Sequence, residues 1–516
     1  MLALNNKASI SVIDPINGFG GSKLITRIRL NSPGVVWVLS KDHKKLYVAT
    51  PLSREVAVID TETWQATAFL PFETPPTQLA LQPDGHYLWV GLEASDGKSL
   101  AGISVVDTEK SQVAAAIATG TGRHQFAFSA DSRTAYVSNA GDQSVTVIDI
   151  ARLASRHTVK SSAQPVALAF SALSKSLYAA TENGRLWVVD AEGQAGAPIE
   201  TGSPLKTLRF SADGRWGFAL SQTDNKVFII DASLNRLTQT VEVGAAPDQI
   251  AFTDQFAYVR STGNATVTML QLDALGKNTT LPVTTFPGGQ AAPGPSGLLL
   301  TDAIVPTPER NAVVVANPAD KTVYYYMEGM AAPMGNFENF GMQPIAAMVV
   351  NRSPQESAPG VYSGTAKLPP AGRYSVSILL DNPPVYHCFA ADIAPDTELA
   401  RQSTQPVTVE YLLDDKEIPV GTSVPIRIKL NQAAKDAVSD LQVLVIRVPG
   451  LGQQRLLAKP LGNHIYQADV TPPDTGVYQV FAQSLSLNFT FEQQPVLTFR
   501  AIRPELARTQ FKEPAP

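Results

Sequence analysis

A repeat with a period of about 42 residues runs through the first two thirds of the chain and constrains the fold more than any other feature. An apolar residue that precedes a turn recurs at intervals of 42, 47, 42, 40 and 42 positions. It falls at Leu39, Leu81, Phe128, Phe170, Phe210 and Phe252. The one long interval is explained by the insertion EASDGKSLAG, and a degenerate seventh copy runs from about Ser296 to Met327.

Each copy of the repeat contains four short segments with alternating apolar residues or β-rich composition, separated by turn residues such as Ser-Ala-Asp or Pro-Asp-Gly. Alternation with period two between such turns predicts a four-stranded antiparallel sheet. One such sheet every 42 residues or so matches a propeller blade and not the shorter solenoid repeats. Because a single twisted sheet cannot bury both of its faces, we predict an all-β chain whose blades pack around an axis.

The number of blades follows from counting equivalent strands. The inner strand occurs in seven copies, whereas the V-x-V-I-D-type strand occurs in eight, the extra one at 9–14 and followed by an outer-strand candidate at 23–30. N-terminal strands that complete the last blade would close the ring and remove exposed strand edges. We therefore expect seven blades, with eight as the alternative if residues after Met327 supply a further inner strand.

Two of the repeat copies resemble a known family. The segments AYVSNAGDQSVTVIDI at 135–150 and LYVATPLSREVAVID at 46–60 resemble the YVTN-type β-propeller repeats of bacterial surface and periplasmic proteins. That family is related in fold to the haem d1 propeller of nitrite reductases and to the lactonase-like propellers. The resemblance covers roughly residues 1–327 and implies the fold, while the functions found on such propellers range from binding to catalysis.

The period breaks after Met327, and two later stretches resemble each other. GVYSGTAKLPPAGRYSVSILLD at 360–381 and HIYQADVTPPDTGVYQVFAQS at 464–484 both contain a Tyr, an alternating strand, a Pro-Pro turn and a second Tyr. This pattern is typical of the last strands of an Ig-like sandwich with a tyrosine corner. We predict a propeller at 1–327, a small Ig-like module at 328–397, a fuller Ig-like sandwich at 404–502 and a solvated tail at 503–516.

Composition excludes several classes of protein. With 41 Lys and Arg against 46 Asp and Glu, the net charge is −5, so the chain lacks the basic surface of a nucleic-acid binder. A single Cys excludes an internal disulfide framework and a cysteine-based zinc site. No stretch reaches the ~18 apolar residues of a spanning helix. Low charge with abundant Thr, Ser, Gln and Ala favours a periplasmic or secreted bacterial protein, and the sequence, which shows no signal peptide, is expected to be a mature or trimmed form.

Aspartates recur where the third strand of each repeat ends. They are Asp14, Asp60, Asp107, Asp149, Asp190 and Asp231. An aspartate at such a position accepts hydrogen bonds from backbone N–H groups of the following turn. We therefore interpret these carboxylates as turn-forming groups and not as paired catalytic acids.

Methionine is concentrated in one segment, since five of the seven Met in the chain lie between Met327 and Met348. Thioethers favour Cu(I) over hard ions, so copper is the cofactor that this segment suggests. The alternative is that methionine fills irregular gaps between domains. The candidate metal ligands are Met327, Met330, Met334, Met342, His387 and Cys388.

The funnel at the propeller axis is the expected ligand site, because the loops that enter the inner strands converge there. Its candidate ligand-binding residues are Gln78, Arg123, His124, Gln164, Lys206 and Asp248. Arg123 and His124 form the most capable pair, since together they suit a carboxylate or phosphate. The resemblance to haem d1 propellers implies an axial histidine, for which His124 is the candidate.

No catalytic motif accompanies the repeat. The sequence has no Gly-rich phosphate loop, no Cys-x-x-Cys-His, no His-x-x-x-His pair and no Gly-x-Ser-x-Gly elbow. We therefore predict a non-catalytic binding or scaffolding protein of the bacterial cell envelope, with a protein partner. The alternatives are a copper-binding or redox-accessory protein that docks a cytochrome or oxidoreductase, and a lactonase-like or haem-d1-like propeller enzyme.

Overall fold

The structure is a computed structural model that describes most of the chain. The described residues are 1–15, 23–93, 102–190, 193–277, 281–294, 301–364, 372–381, 384–394, 407–413, 415–431, 438–448, 453–484, 486–487, 489, 491 and 496–503. They contain no α-helix, only strands and two short 3-10 turns at Pro51–Ser53 and Leu272–Ala274. The chain divides into two compact units, the first built from Met1–Pro15 and Lys23–Thr365 and the second running from Ala366 onward.

Within the described part of the first unit, eight four-stranded antiparallel sheets follow one another as the blades of a propeller. Seven of them run from inner to outer strand in sequence order. Blades 1 and 2 comprise Val36–Leu39, Lys45–Thr50, Glu55–Asp60 and Gln65–Pro71, then Pro76–Leu81, Tyr87–Leu92, Ile103–Asp107 and Gln112–Ile117. Blades 3 and 4 comprise Phe126–Phe128, Thr134–Asn139, Ser144–Asp149 and Ala154–Lys160, then Pro165–Ser171, Ser176–Thr181, Arg185–Val189 and Ile199–Glu200.

The second half of the ring repeats this plan and ends on a composite blade. Blades 5 and 6 comprise Thr207–Phe210, Trp216–Ser221, Lys226–Asp231 and Arg236–Glu242, then Pro247–Phe252, Phe256–Ser261, Thr266–Gln271 and Val283–Pro287. Blade 7 comprises Ile304–Pro306, Ala312–Asn317, Thr322–Met327 and Gly335–Glu338. Blade 8 takes its inner strand, Pro344–Met348, from the far end of the unit and its other strands, Leu2–Asn5, Ser9–Asp14 and Lys23–Arg29, from the N-terminus.

The blade count therefore differs from the seven that we expected. The described residues form eight blades, the alternative that we gave, because Pro344–Met348 pairs with Leu2–Asn5 and supplies the further inner strand. For the same reason the blades extend beyond Met327, where the sequence predicted the propeller to end. N-terminal strands do complete the last blade, as the extra V-x-V-I-D-type strand indicated.

Apolar contacts between neighbouring blades close the ring. Consecutive sheets share clusters of buried side chains, and the two that involve blade 8 make the closure. Leu4 and Ile10 of blade 8 pack with Trp37 of blade 1. On its other side, Ala347 of blade 8 packs with Val314 of blade 7. Each blade thus buries both faces against its neighbours, which is the reason that the alternating pattern recurs in every copy.

The recurrent aspartates form turns, as predicted. Asp60 Oδ1 accepts hydrogen bonds from the backbone N–H groups of Glu62 (2.9 Å) and Thr63 (2.7 Å). Asp107 accepts the corresponding bonds from Glu109 and Lys110. The backbone hydrogen bond from Lys110 also lowers the pKa of Asp107 below its usual value. These carboxylates are therefore held by their own turns.

The described part of the second unit contains a hairpin and a β-sandwich. The hairpin pairs Gly372–Asp381 with Pro384–Ile393. The sandwich has one sheet of Val409–Leu412, Val424–Leu430, Ile465–Val470 and Lys459–Gly462, and another of Glu417–Pro419, Leu497–Ile502, Gly476–Gln483, Gln442–Val448 and Gln453–Leu457. The two sheets share a core.

A tyrosine near the end of the sandwich makes the contact that the sequence pattern suggested. Tyr478 is buried at 4% exposure, and its hydroxyl donates to the backbone oxygen of Asp474 at 2.9 Å. This bond to a residue four positions upstream is the geometry of a tyrosine corner.

Residues 328–397 do not form the single module that the sequence predicted. Gly335–Glu338 and Pro344–Met348 belong to propeller blades, and a hairpin of Gln355–Ala358 and Val361–Ser363 follows. The predicted tail, apart from residue 503, lies outside the described residues.

Candidate functional site

The inner strands and the loops that enter them enclose a cavity of about 1010 Å³ in the propeller. Its described lining comes from blades 2 to 7, from Glu93 to Asp302. Four of the six predicted ligand-binding residues line it: Arg123, Gln164, Lys206 and Asp248. Four phenylalanines from inner strands add apolar surface: Phe126, Phe170, Phe210 and Phe252. The cavity therefore combines a charged rim with an apolar wall, as small-molecule sites commonly do.

The loop that carries Arg123 and His124 is anchored by the turn between the second and third strands of its own blade. Asn139 Oδ1 accepts from the Gly120 N–H at 2.9 Å, and Asp142 accepts from the Thr121 N–H and hydroxyl, each at 2.8 Å. Gly122 then turns the chain with a φ of +81°, close against the backbone of Gly141. A residue with a Cβ atom would be strained at that φ, and its Cβ would collide with the backbone of Gly141, so glycine is required here. The loop therefore presents the next two side chains from a fixed backbone.

His124 is buried beside the cavity and not in its described lining. The residue is 1% exposed, and its Nδ1 lies 2.9 Å from the backbone oxygen of Ser138. A carbonyl oxygen can only accept, so Nδ1 carries the proton. Burial lowers the pKa of His124, which keeps the ring neutral, while the Glu93 and Asp142 carboxylates oppose that shift. Nε2 is thus a bare acceptor, and it has no hydrogen-bond partner among the described residues.

Gln78 also lies outside the described lining. Its Nε2 donates to Oε1 of Gln125, a lining residue, at 3.5 Å. Its own Oε1 is buried and has no partner in the described part of the chain. Gln78 Oε1, His124 Nε2 and the Thr77 hydroxyl, all at the junction of blades 2 and 3, thus lack a hydrogen-bond partner among the described residues.

Two ion pairs neutralise one side of the cavity. Arg260, which the sequence reading did not single out, donates from Nε to Asp248 Oδ1 at 3.1 Å, and both side chains are buried. Arg209 contacts Asp302 at 2.5 Å, and this carboxylate raises the pKa of Arg209. Asp248, which we predicted to bind ligand, is thus engaged by an internal arginine.

Arg123 and Lys206 differ from those arginines because no carboxylate pairs with either of them among the described residues. Nε of Arg123 is buried and lacks a hydrogen-bond partner there. A buried donor without a partner costs about 1–3 kcal/mol, more when it is charged. The geometry therefore leaves a cationic side of the cavity that an anionic group can satisfy.

A sequence signal could have found one of the residues that were missed. Arg260 stands in AYVRS, a second strand in which most other copies of the repeat have a small or aliphatic residue at the same place. A charge there is out of pattern and indicates an internal partner. Arg209 and Asp302 carry no such signal, because Arg209 lies in the inner strand of blade 5 and Asp302 in the loop before blade 7, and only the closed ring brings them together.

The predicted metal ligands are divided between the two units. Met327, Met330 and Met334 belong to the first unit and are 42%, 43% and 57% exposed. Met342 is in the same unit and partly buried, whereas the hairpin of the second unit carries His387 and the exposed Cys388. Consecutive residues of a strand project to opposite faces, so His387 and Cys388 do not form one ligand set. In the described part of the chain, no three His, Cys, Asp or Glu side chains could together hold a metal ion.

Comparison with known proteins supports the fold. The family described as Cytochrome D1 heme domain matches residues 27–175, which hold blades 1 to 3 and the inner strand of blade 4. No curated protein matches significantly. The match supports a propeller similar to the YVTN, cytochrome d1-like kind that the repeat predicted. The described residues include no helix that is long and apolar enough to cross a membrane.

Solved structures similar to this chain include three proteins with low sequence identity. Hydrazine synthase from Kuenenia stuttgartiensis is 17% identical, covering 51% of this chain and 79% of its own, with a TM-score of 0.39. The Cps50 (Swd1) β-propeller domain from Myceliophteria thermophila is 12% identical, covering 52% and 88%, with a TM-score of 0.40. A functionally unknown protein from Desulfotomaculum acetoxidans is 14% identical, covering 59% and 98%, with a TM-score of 0.45.

The family match raises the question of whether the cavity suits a haem. Iron in haem proteins is held by His, Cys, Met or Tyr. The described lining contains none of these four residue types. His124, the candidate axial ligand, is 1% exposed and lies outside that lining. The residues present do not fit an axially ligated haem at this cavity.

Proposed function

We propose that this protein is a non-catalytic binding propeller whose axial cavity takes a small molecule with a carboxylate. The observation that carries the proposal is the contrast within one cavity: Arg260 and Arg209 have carboxylate partners, whereas Arg123 and Lys206 have none among the described residues. An arginine held on a fixed loop suits the planar geometry of a carboxylate. The four phenylalanines of the wall suit an apolar remainder of the ligand.

The test measures binding of 3-phenylpropionate by isothermal titration calorimetry. We expect Arg123→Gln to weaken binding at least tenfold, about 1.4 kcal/mol, because hydrogen bonds to charged groups contribute about 1.5–3 kcal/mol. Arg133→Gln is the matched control, since Arg133 is 84% exposed in a surface pair with Asp131. If the wild type does not bind the probe, or if both variants bind it equally well, the proposal is wrong.

A second candidate function rests on the exposed methionines. Met327, Met330 and Met334 lie on one turn, in which the Met330 N–H donates to the Met327 oxygen at 3.0 Å and the Met334 N–H to the Tyr325 oxygen at 2.8 Å. Side chains that were filling gaps in a core would be buried, but each of these is more than two fifths exposed. The thioethers are therefore accessible to Cu(I), and a redox-accessory role in the cell envelope is the function that such a site would serve.

Replacing Met327, Met330 and Met334 together by leucine is expected to weaken Cu(I) binding at least tenfold, because leucine keeps the volume and removes the sulfur. Competition with a chromophoric Cu(I) chelator measures the affinity. The single variant Met269→Leu serves as control, since Met269 is 6% exposed in the core of blades 6 and 7. Equal, weak Cu(I) affinity in the wild type and the triple variant contradicts the copper proposal.

A further inference from the structure

The junction of blades 2 and 3 differs from the equivalent junction of blades 6 and 7 in one respect. Strand pairing sets Gln78 opposite Gly91 in blade 2 and Gln249 opposite Arg260 in blade 6, each next to a bulge in the inner strand. These pairs therefore occupy the same place in the repeat. The two junctions differ in whether their buried polar groups have hydrogen-bond partners within the propeller.

At the junction of blades 6 and 7, Gln249 and Arg260 have their hydrogen-bond partners within the propeller. Gln249 donates to the Thr301 oxygen and accepts from the Ala303 N–H, each at 2.7 Å. The Arg260 guanidinium pairs with Asp248 and donates to the backbone oxygen of Ala316 at 3.4 Å. An internal cation thus occupies this junction and faces its acceptors.

Among the described residues, the junction of blades 2 and 3 has acceptors but no charged side chain at the position that Arg260 occupies in blade 6. Gly91 and Thr77 stand where blade 6 has Arg260 and Asp248. The backbone oxygen of Ser138 accepts a hydrogen bond from Nδ1 of His124, as the backbone oxygen of Ala316 accepts one from Arg260. What remains without a hydrogen-bond partner, among the described residues, is Thr77 Oγ1, Gln78 Oε1 and His124 Nε2.

The side chains of Gln78 and His124 leave the backbone close together. A Cβ atom built on Gly91 would be 3.0 Å from Cβ of Gln78 and 3.3 Å from Cβ of His124, so both side chains pack onto the strand at Gly91. Glu93 follows two residues later, lines the cavity and has no ion pair in the described part of the chain. Arg123, with its unpartnered Nε, is the neighbour of His124 in sequence. Acceptors and a carboxylate thus lie beside the cationic side of the cavity.

We propose that this junction binds the ammonium group of an α-amino acid whose carboxylate lies on Arg123. This inference rests on the proposed function and adds the class of ligand. An ammonium group has three donors, and Glu93, His124 Nε2 and Gln78 Oε1 offer three kinds of acceptor. The ligand cation thereby replaces the guanidinium that Arg260 supplies in blade 6. Buried acceptors that a water molecule satisfies are the competing explanation.

The test compares three ligands that differ only at the α-carbon: L-phenylalanine, L-phenyllactate and 3-phenylpropionate. In the full-length wild type we expect L-phenylalanine to bind at least tenfold more tightly than 3-phenylpropionate, with L-phenyllactate between them. Glu93→Gln is expected to remove most of this preference, measured as the ratio of the affinities for L-phenylalanine and 3-phenylpropionate. His124→Phe, which keeps a ring but removes the acceptor, is expected to do the same.

Glu182→Gln is the matched control, because Glu182 follows its strand in blade 4 as Glu93 does in blade 2. The Glu182 N–H donates to Gln164 as the Glu93 N–H donates to Pro75, both at 3.1 Å, yet Glu182 is absent from the described lining. If all three ligands bind the wild type equally, water satisfies the junction, and this inference is wrong while the proposed function stands. If none of the three ligands binds the wild type, both the proposed function and this inference are wrong. Melting temperatures identify any variant that fails to fold, and Glu93→Gln, at a partly exposed position, decides the result in that case.

Discussion

Replacing Asp248 by alanine is expected to lower the free energy of unfolding of the propeller by about 3–5 kcal/mol, the usual cost of removing one partner from a buried ion pair. The side chains of Arg260 and Asp248 are 2% and 7% exposed. Because an arginine cannot lose its proton, the variant must bury an uncompensated charge. Urea unfolding followed by circular dichroism, with the transition of the second unit fitted separately, measures the change.

The matched control for this prediction is Asp302→Ala, which breaks a pair in the same cavity. Arg209 and Asp302 are 41% and 35% exposed, so water solvates the arginine that remains and the loss is expected to stay within about 1 kcal/mol. The double variant Asp248→Leu, Arg260→Met is expected to recover most of the stability, since it leaves no unpaired charge. Equal losses for Asp248→Ala and Asp302→Ala contradict the assignment of a buried pair.

Introducing a carboxylate at Ala347 is expected to destabilise the propeller by more than about 3 kcal/mol, because a buried charge without a partner costs more than a neutral polar group. Ala347 is fully buried, pairs with Ala3 across the closing strands and packs with Val314 of blade 7. Weakening the pairing between Pro344–Met348 and Leu2–Asn5 also exposes the edges of these two strands, and exposed strand edges promote association between chains. Thermal unfolding together with light scattering after size-exclusion chromatography measures both effects of Ala347→Asp.

Ala116→Asp provides the comparison for that prediction. Ala116 lies in the outer strand of blade 2, Gln112–Ile117, and is exposed. The same substitution there is expected to change the free energy of unfolding by less than about 0.5 kcal/mol and to leave the protein monodisperse. If Ala347→Asp is as well tolerated as Ala116→Asp, the closure of the ring through Pro344–Met348 is not as described.

Much of the fold was predictable because a propeller blade is a local object. Its four strands are consecutive in the chain, so alternation, turn residues and the anchors at Leu39 to Phe252 reveal each blade without knowledge of the others. Blade 8 is the exception, since Pro344–Met348 pairs with Leu2–Asn5 from the opposite end of the unit. A five-residue strand outside the repeat carries no periodic signal, and the expected count was therefore one blade too low.

The candidate site was predictable in position and less so in chemistry. Arg123, Gln164, Lys206 and Asp248 line the cavity because every inner strand starts at the axis. Which of them stays unpaired depends on contacts between blades. Arg260 neutralises Asp248 within its own blade, whereas Arg209 reaches Asp302 at the entrance of blade 7, and the sequence alone does not show that these two are neighbours.

The sequence by itself determined that this chain is all-β, that its first part is a ring of repeated sheets and that a polar funnel lies at the axis, because each of these follows from patterns within about 42 residues. The tertiary structure decided the eighth blade, the ion pairs of Arg260 and Arg209, and which polar groups of Thr77, Gln78, Arg123 and His124 lack a partner among the described residues. These depend on which blades are adjacent and on how deeply a side chain is buried between them. Burial and pairing are properties of the closed ring, and they set the cost of every polar group that has no partner.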